Sequence, residues 1–158
     1  MKSIEDQIQA MARRWPGFKV IERFDRGACW EGILAPSKRE YLVQVKYRVP
    51  LVIENISLLN AQPRVQVINP ALELHPDYEE GPIPHVYKWI GDLSVRFLCL
   101  FDPSEREWSC DDLIADTTIF WAVEWLYFYE GWLITKKWHG GGRHIIPEEQ
   151  GAKRLETV

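Results

Sequence analysis

Apolar and polar residues follow two rhythms along this chain. Ile4, Ile8, Met11 and Trp15 recur at the spacing of one helix face. Ser3 stands where an N-cap belongs, Glu5 and Asp6 suit the first turn, and Pro16-Gly17 ends the run after Arg14. The period then drops to two. Phe18 to Phe24 alternates loosely, and Ala28 to Leu34 carries Cys29, Trp30, Ile33 and Leu34. Tyr41 to Tyr47 alternates cleanly, with Tyr41, Val43, Val45 and Tyr47 on one face. Asp25-Arg26-Gly27 and Pro36-Ser37-Lys38 separate these runs as short turns, which predicts an antiparallel meander. Val49 to Gln62 is less regular, and Arg64 to Ile68, framed by Pro63 and Pro70, reads as the fourth strand. Leu74 to Pro84, with its prolines and acidic residues, predicts an irregular surface loop. Leu93 to Phe101 is a short extended run that carries Cys99-Leu100 near its end, and Asp102-Pro103-Ser104 turns away from it.

The last element is the longest. Asp116 or Thr117 opens a helix that runs to about Lys137. Ile119, Val123, Leu126, Glu130 and Leu133 line one face, and Trp121, Trp125, Phe128 and Trp132 line another. A helix apolar on two faces is either central to its fold or half of an interface. Gly140-Gly141-Gly142 reads as its cap rather than a phosphate loop, since no Gly-Lys-Ser/Thr follows. The order of elements predicts a two-layer α+β domain over residues 1–144, with a polar, mobile tail at 145–158.

Composition narrows the class. A chain of 158 residues fits one domain with a full core. The net charge of -4, without a Lys/Arg run, argues against nucleic acid and anionic membrane as partners. Three cysteines, Cys29, Cys99 and Cys110, are an odd number without framework spacing, which fits a reducing compartment. The polar start MKSIEDQIQA is no signal peptide. The apolar stretch Thr117 to Ile134, interrupted by Glu124, Glu130 and Gly131, is a poor membrane span. These features predict a cytoplasmic protein.

Cys99 is the residue with chemistry to offer. A thiol at the mouth of a strand can be held rigidly and still meet a partner, which suits carriage of an acyl group as a thioester. Packing is the competing reading, since free cysteine is among the most buried residue types. Cys29, beside Trp30 on a strand, reads as core. Cys110, before Asp111-Asp112, reads as exposed at a helix start and is a second candidate nucleophile. A zinc site from Cys99, Cys110, His139 and His144 lacks any closely spaced ligand pair, so neither metal nor organic cofactor is expected.

The ordered set of motifs resembles the ubiquitin-conjugating enzyme family. That family has an N-terminal helix and a four-stranded meander. A Pro-Pro-x-Val lead-in to the last strand, a His-Pro-Asn segment, a catalytic cysteine followed by leucine, a tryptophan and a central helix come after. Here Gln62-Pro63-Arg64-Val65, Pro84-His85-Val86-Tyr87, Leu98-Cys99-Leu100 and Trp108 stand in those places. The sequence is most similar to a bacterial branch that pairs His-x-Tyr with Leu-Cys-Leu. That branch also has a Trp-Leu-Tyr-Phe-Tyr-Glu helix, here Trp125 to Glu130, and a Trp-x-Gly-Gly-Gly tail, here Trp138 to Gly142. Such proteins occur in antiphage CBASS systems built around cGAS-like nucleotidyltransferases.

The resemblance implies that Cys99 accepts the C-terminus of the nucleotidyltransferase as a thioester, with ATP consumed by a separate activating enzyme. It implies roles for His85 and Tyr87 beside the oxyanion, and for Asp102 in orienting or deprotonating an incoming amine. A purely structural place in its loop suits His85 better than a catalytic one, since most histidines of folded domains are not catalytic. Three departures matter. Tyr87 stands where the family has asparagine, an insertion with Trp89 separates Tyr87 from Cys99 and Phe97 replaces the glycine before the cysteine, and the family's last two helices have no counterpart. The third departure leaves Trp121, Trp125, Phe128 and Trp132 open to a partner-binding reading beside the core one. The alternative function is then a catalytically weak module that docks a nucleotidyltransferase through the aromatic helix. An unrelated α+β protein with a structural cysteine is the third reading.

Overall fold

Helix α1, Ile4–Arg14, begins in a capping box. The Ser3 Oγ accepts the Asp6 amide at 3.1 Å, and the Asp6 carboxylate accepts the Ser3 amide at 2.8 Å. The computed structural model describes residues 1–51, 61–89, 92–102 and 105–140. The expected tail, Gly141, Gly142, His144 and most of the irregular stretch before Gln62 lie outside the described residues.

Four strands follow α1: β1 (Lys19–Phe24), β2 (Gly27–Leu34), β3 (Tyr41–Arg48) and β4 (Arg64–Asn69). They form an antiparallel sheet in the order β1-β2-β3-β4. Because strand side chains alternate, the clean pattern in β3 decides which face is inside. Tyr41, Val43, Val45 and Tyr47 are buried, and so are Ala28, Trp30 and Leu34 of β2 and Val65 and Val67 of β4. A second pair, β5 (Val86–Trp89) and β6 (Asp92–Leu98), makes a small antiparallel hairpin. The sequence reading found only the β6 half of it. The β6 strand runs beside β4, and the Arg64 guanidinium lies over the Phe97 ring at 5.5 Å.

Helix α2 spans Thr118–Thr135 and packs into the same core cluster as the inner face of the sheet and α1. Its buried side is Ile119, Ala122, Trp125, Leu126, Tyr129 and Trp132. This merges parts of the two expected faces and adds Tyr129. The Glu130 carboxylate accepts the Ser37 and Tyr41 hydroxyls at 2.5 and 3.1 Å, tying the β2–β3 turn to α2. Gln7 ties α1 to the segment before α2. Its Nε2 donates to the Asp112 carbonyl at 2.8 Å, and its Oε1 accepts the Ile114 amide at 2.9 Å.

The helix does not end at the glycines. Lys136 takes the left-handed conformation at φ 63° and donates its amide to the Trp132 carbonyl at 2.8 Å. Gly140 instead permits close packing, because a Cβ there would lie 2.6 Å from Trp138 Nε1 and 2.9 Å from the Phe128 ring. Among the described residues, no helix is long and apolar enough to cross a membrane.

Candidate active site

The hairpin register places Cys99. Val86 pairs with Leu98 and Tyr87 with Phe97, so the next position in the ladder sets His85 opposite Cys99. The ladder continues there: the Cys99 amide donates to the His85 carbonyl at 2.9 Å. Alternation turns Leu98 inward, where it is buried, and sends Cys99 to the same face as Phe97. Tyr87, across from Phe97, is then a diagonal neighbour of Cys99, within reach of a long aromatic side chain. The Cys99 thiol meets the Tyr87 hydroxyl at 3.1 Å and the Phe101 carbonyl at 3.7 Å.

The thiol is half-buried and neutral. Burial foremost, with the Asp102 and Glu107 carboxylates, pushes its pKa up to about 11 against the opposing pull of the Tyr87 hydrogen bond. At neutral pH its ionised form is therefore scarcer than in an ordinary cysteine. Asp102 belongs to this environment, and its amide donates to the Glu107 carboxylate at 3.1 Å.

His85 is held by its surroundings. Its φ is 51°, a left-handed backbone uncommon for a residue with a side chain. Its Nε2 lies 3.3 Å from the Glu80 carboxylate, and its ring rests against Trp138 with centroids 5.0 Å apart. Cys99 therefore meets the His85 backbone, and the imidazole is not among its hydrogen-bond partners. Trp108 is buried edge-on against Tyr47, with centroids 5.3 Å apart, in the core rather than at the thiol.

The profile of the family described as Type II CBASS E2 protein matches residues 7–145. The chain belongs to the Type II CBASS E2 protein family. Its α1, four-stranded meander, hairpin and α2 are consistent with the fold of E2-like proteins, and its place is in antiphage CBASS systems. No curated protein and no solved structure matches it.

The remaining candidates of this CBASS E2 protein are spread across the domain. Cys29 is buried in β2, where burial raises its pKa. Cys110 is half-buried in a turn, and its carbonyl accepts the Lys2 amide at 2.7 Å. It is not at a helix start, since α2 begins only at Thr118. No group of three or more His, Cys, Asp or Glu side chains among the described residues could hold a metal ion.

The aromatic stripe divides. Trp125 and Trp132 are buried, and their indole N–H groups donate to the His85 and Glu79 carbonyls at 3.0 and 2.8 Å. Trp121 and Phe128 are half-buried. As a docking face the stripe is therefore available only in part. Outside it, Phe120, Tyr127 and Ile134 are exposed by 43, 61 and 82%, which makes them the outer apolar positions of α2.

Sequence reasoning missed Glu80 and Glu107, which reach the site from the loops just before His85 and just after Cys99, and Trp138, which reaches it from beyond the end of α2. The Val86-Tyr87-Lys88-Trp89 run, followed by Gly91-Asp92, was the available signal for the hairpin that gathers them.

Proposed function

We propose that this CBASS E2 protein carries the activated C-terminus of a client protein as a thioester on Cys99, the client being the cGAS-like nucleotidyltransferase of the same defence system. The observation that supports this reading is the half-buried Cys99 thiol, placed at the end of a hairpin 3.1 Å from the Tyr87 hydroxyl. In the exchange, Cys99 sulfur bonds to the client's terminal carbonyl carbon. The bond from that carbon to the donor sulfur breaks, and the Cys99 proton ends on the departing thiol. A thioester replaces a thioester, so the step needs alignment more than driving force. ATP is spent beforehand by a separate activating enzyme.

The tetrahedral intermediate needs hydrogen-bond donors. The Cys99 amide is engaged with His85 and does not serve. The Tyr87 hydroxyl stands where asparagine does in eukaryotic relatives, and it can turn its proton toward sulfur or oxyanion. The Leu100 amide, which donates to no backbone carbonyl among the described residues, is the second donor. Asp102 holds the incoming amine if the acyl group passes on to nitrogen.

A second reading rests on α2. This helix is apolar nearly all round yet leaves Phe120, Tyr127 and Ile134 exposed, which suits a docking module. Co-expression with the neighbouring nucleotidyltransferase, followed by intact mass measurement, separates the two. The carrier reading expects an adduct lighter by one water than the two chains together, lost with thiol and absent in Cys99→Ala. Co-purification of both variants without any adduct would favour the docking module.

A further inference from the structure

The His85 carbonyl accepts two hydrogen bonds from two directions. The Cys99 amide reaches it at 2.9 Å from the end of β6, and the Trp125 indole N–H reaches it at 3.0 Å from α2. One oxygen therefore joins the strand carrying the thiol, the segment opposite it and the central helix. A carbonyl oxygen has two lone pairs, and both find a donor here.

The indole is held firmly. Trp125 is 4% exposed, stacked on Tyr129 with centroids 5.5 Å apart and tilted against Trp138 at 5.6 Å. Trp138 in turn covers the His85 ring. Apolar bulk alone would be supplied by phenylalanine; the N–H is what tryptophan adds. That N–H holds the carbonyl of a residue whose φ of 51° is strained for a side chain larger than hydrogen.

We propose that Trp125 is a positioning residue for Cys99, a role that rests on the thioester reading of that thiol. It touches neither sulfur nor client. It pins the His85 carbonyl, the carbonyl fixes the Cys99 amide, and the amide fixes the thiol against the Tyr87 hydroxyl. Without the indole N–H, His85 can relax toward ordinary backbone and Cys99 shifts out of register with Tyr87. The thiolate then loses the one hydrogen bond that favours it.

The test uses Trp125→Phe, which keeps an aromatic ring and removes the N–H. Alkylation of Cys99 by iodoacetamide is followed across pH by peptide-resolved mass spectrometry. Trp125→Phe is expected to slow the reaction about threefold or more at mildly alkaline pH, the loss expected when a thiolate gives up a hydrogen bond. In a Tyr87→Phe background the same substitution is expected to change nothing further, because both act through one contact. A Trp125→Phe profile that superimposes on wild type, or an effect that persists in the Tyr87→Phe background, overturns the proposal.

If Trp125→Phe also lowers the melting temperature, Leu126→Val serves as a destabilised control from the same helix. Slowing by Leu126→Val to the same extent overturns the proposal, and an unchanged rate supports it. Alkylation needs no client. A positive result with a wild-type protein that forms no client adduct would therefore sink the carrier function while leaving the positioning of the thiol in place.

Discussion

Replacing Tyr87 by phenylalanine removes one oxygen and tests the chemistry of the site. The structure places that oxygen 3.1 Å from the Cys99 sulfur, and its hydrogen bond works against the burial and carboxylates that push the thiol pKa up to about 11. A hydrogen bond to a charged group contributes about 1.5–3 kcal/mol, or about a 10- to 100-fold change in thiolate population at fixed pH. The rate changes less than the population. A thiolate of higher pKa is a better nucleophile, with a Brønsted slope of about 0.4–0.5, so the expected slowing is about 3- to 10-fold. The sign follows from the direction of the shift. Below its pKa, Cys99 reacts faster as pH rises, and losing a bond to the thiolate moves that rise to higher pH. Iodoacetamide alkylation read peptide by peptide reports Cys99 separately from Cys29 and Cys110. A Tyr87→Phe profile equal to wild type, or shifted to lower pH, would refute the reasoning.

Three further outcomes are expected. Asp102→Asn removes a carboxylate that raises the thiol pKa, so the same profile moves to lower pH; no movement would mean the carboxylate does not act on the sulfur. Gln7→Leu leaves the Asp112 carbonyl and Ile114 amide without partners in the interior, a loss of about 2–5 kcal/mol in urea unfolding; less than about 1 kcal/mol would show that these groups find other partners. Gly32→Ala puts a Cβ 2.6 Å from the Phe18 ring and costs about 1–3 kcal/mol. Combining Gly32→Ala with Phe18→Leu recovers part of that loss if the clash is its cause, and adds to it if not.

Most of the meander was readable because each β-strand has a clear boundary and β3 a clean alternation. Tyr41, Val43, Val45 and Tyr47 declare the inner face without reference to anything else in the chain. The hairpin was harder. Val86–Trp89 is four residues long and follows a proline-rich loop, so its alternation is too short to stand out. In α2 apolar residues occupy nearly every side, and periodicity could not say which of them face the sheet. Packing chose Tyr129, Trp125 and Trp132 for the interior, guided by partners far away in sequence such as Tyr41 and the His85 and Glu79 carbonyls. The helix ends within two residues of the expected Lys137, but its cap was misread for a related reason. A left-handed lysine at position 136 carries no local signal, whereas three glycines carry a strong one.

The site was legible to a different depth at each residue. The order of motifs singled out Cys99, His85 and Tyr87, and the register of the hairpin then explains why a tyrosine twelve residues upstream meets the thiol. The raised pKa of the thiol could not be read from the sequence, because it comes from burial beside Asp102 and Glu107, and burial is a property of the assembled fold.

Cys99→Ser, co-expressed with a CBASS cGAS-like nucleotidyltransferase and an added activating enzyme, tests the central claim most directly. A thioester on sulfur becomes an oxygen ester on serine, which survives thiol treatment. The carrier account predicts a client adduct one water lighter than the two chains together, cleaved by thiol in wild type, resistant to thiol in Cys99→Ser and mapped by peptide mass to residue 99. An adduct of the same mass mapped to any other residue, or one that persists in Cys99→Ala, would contradict it.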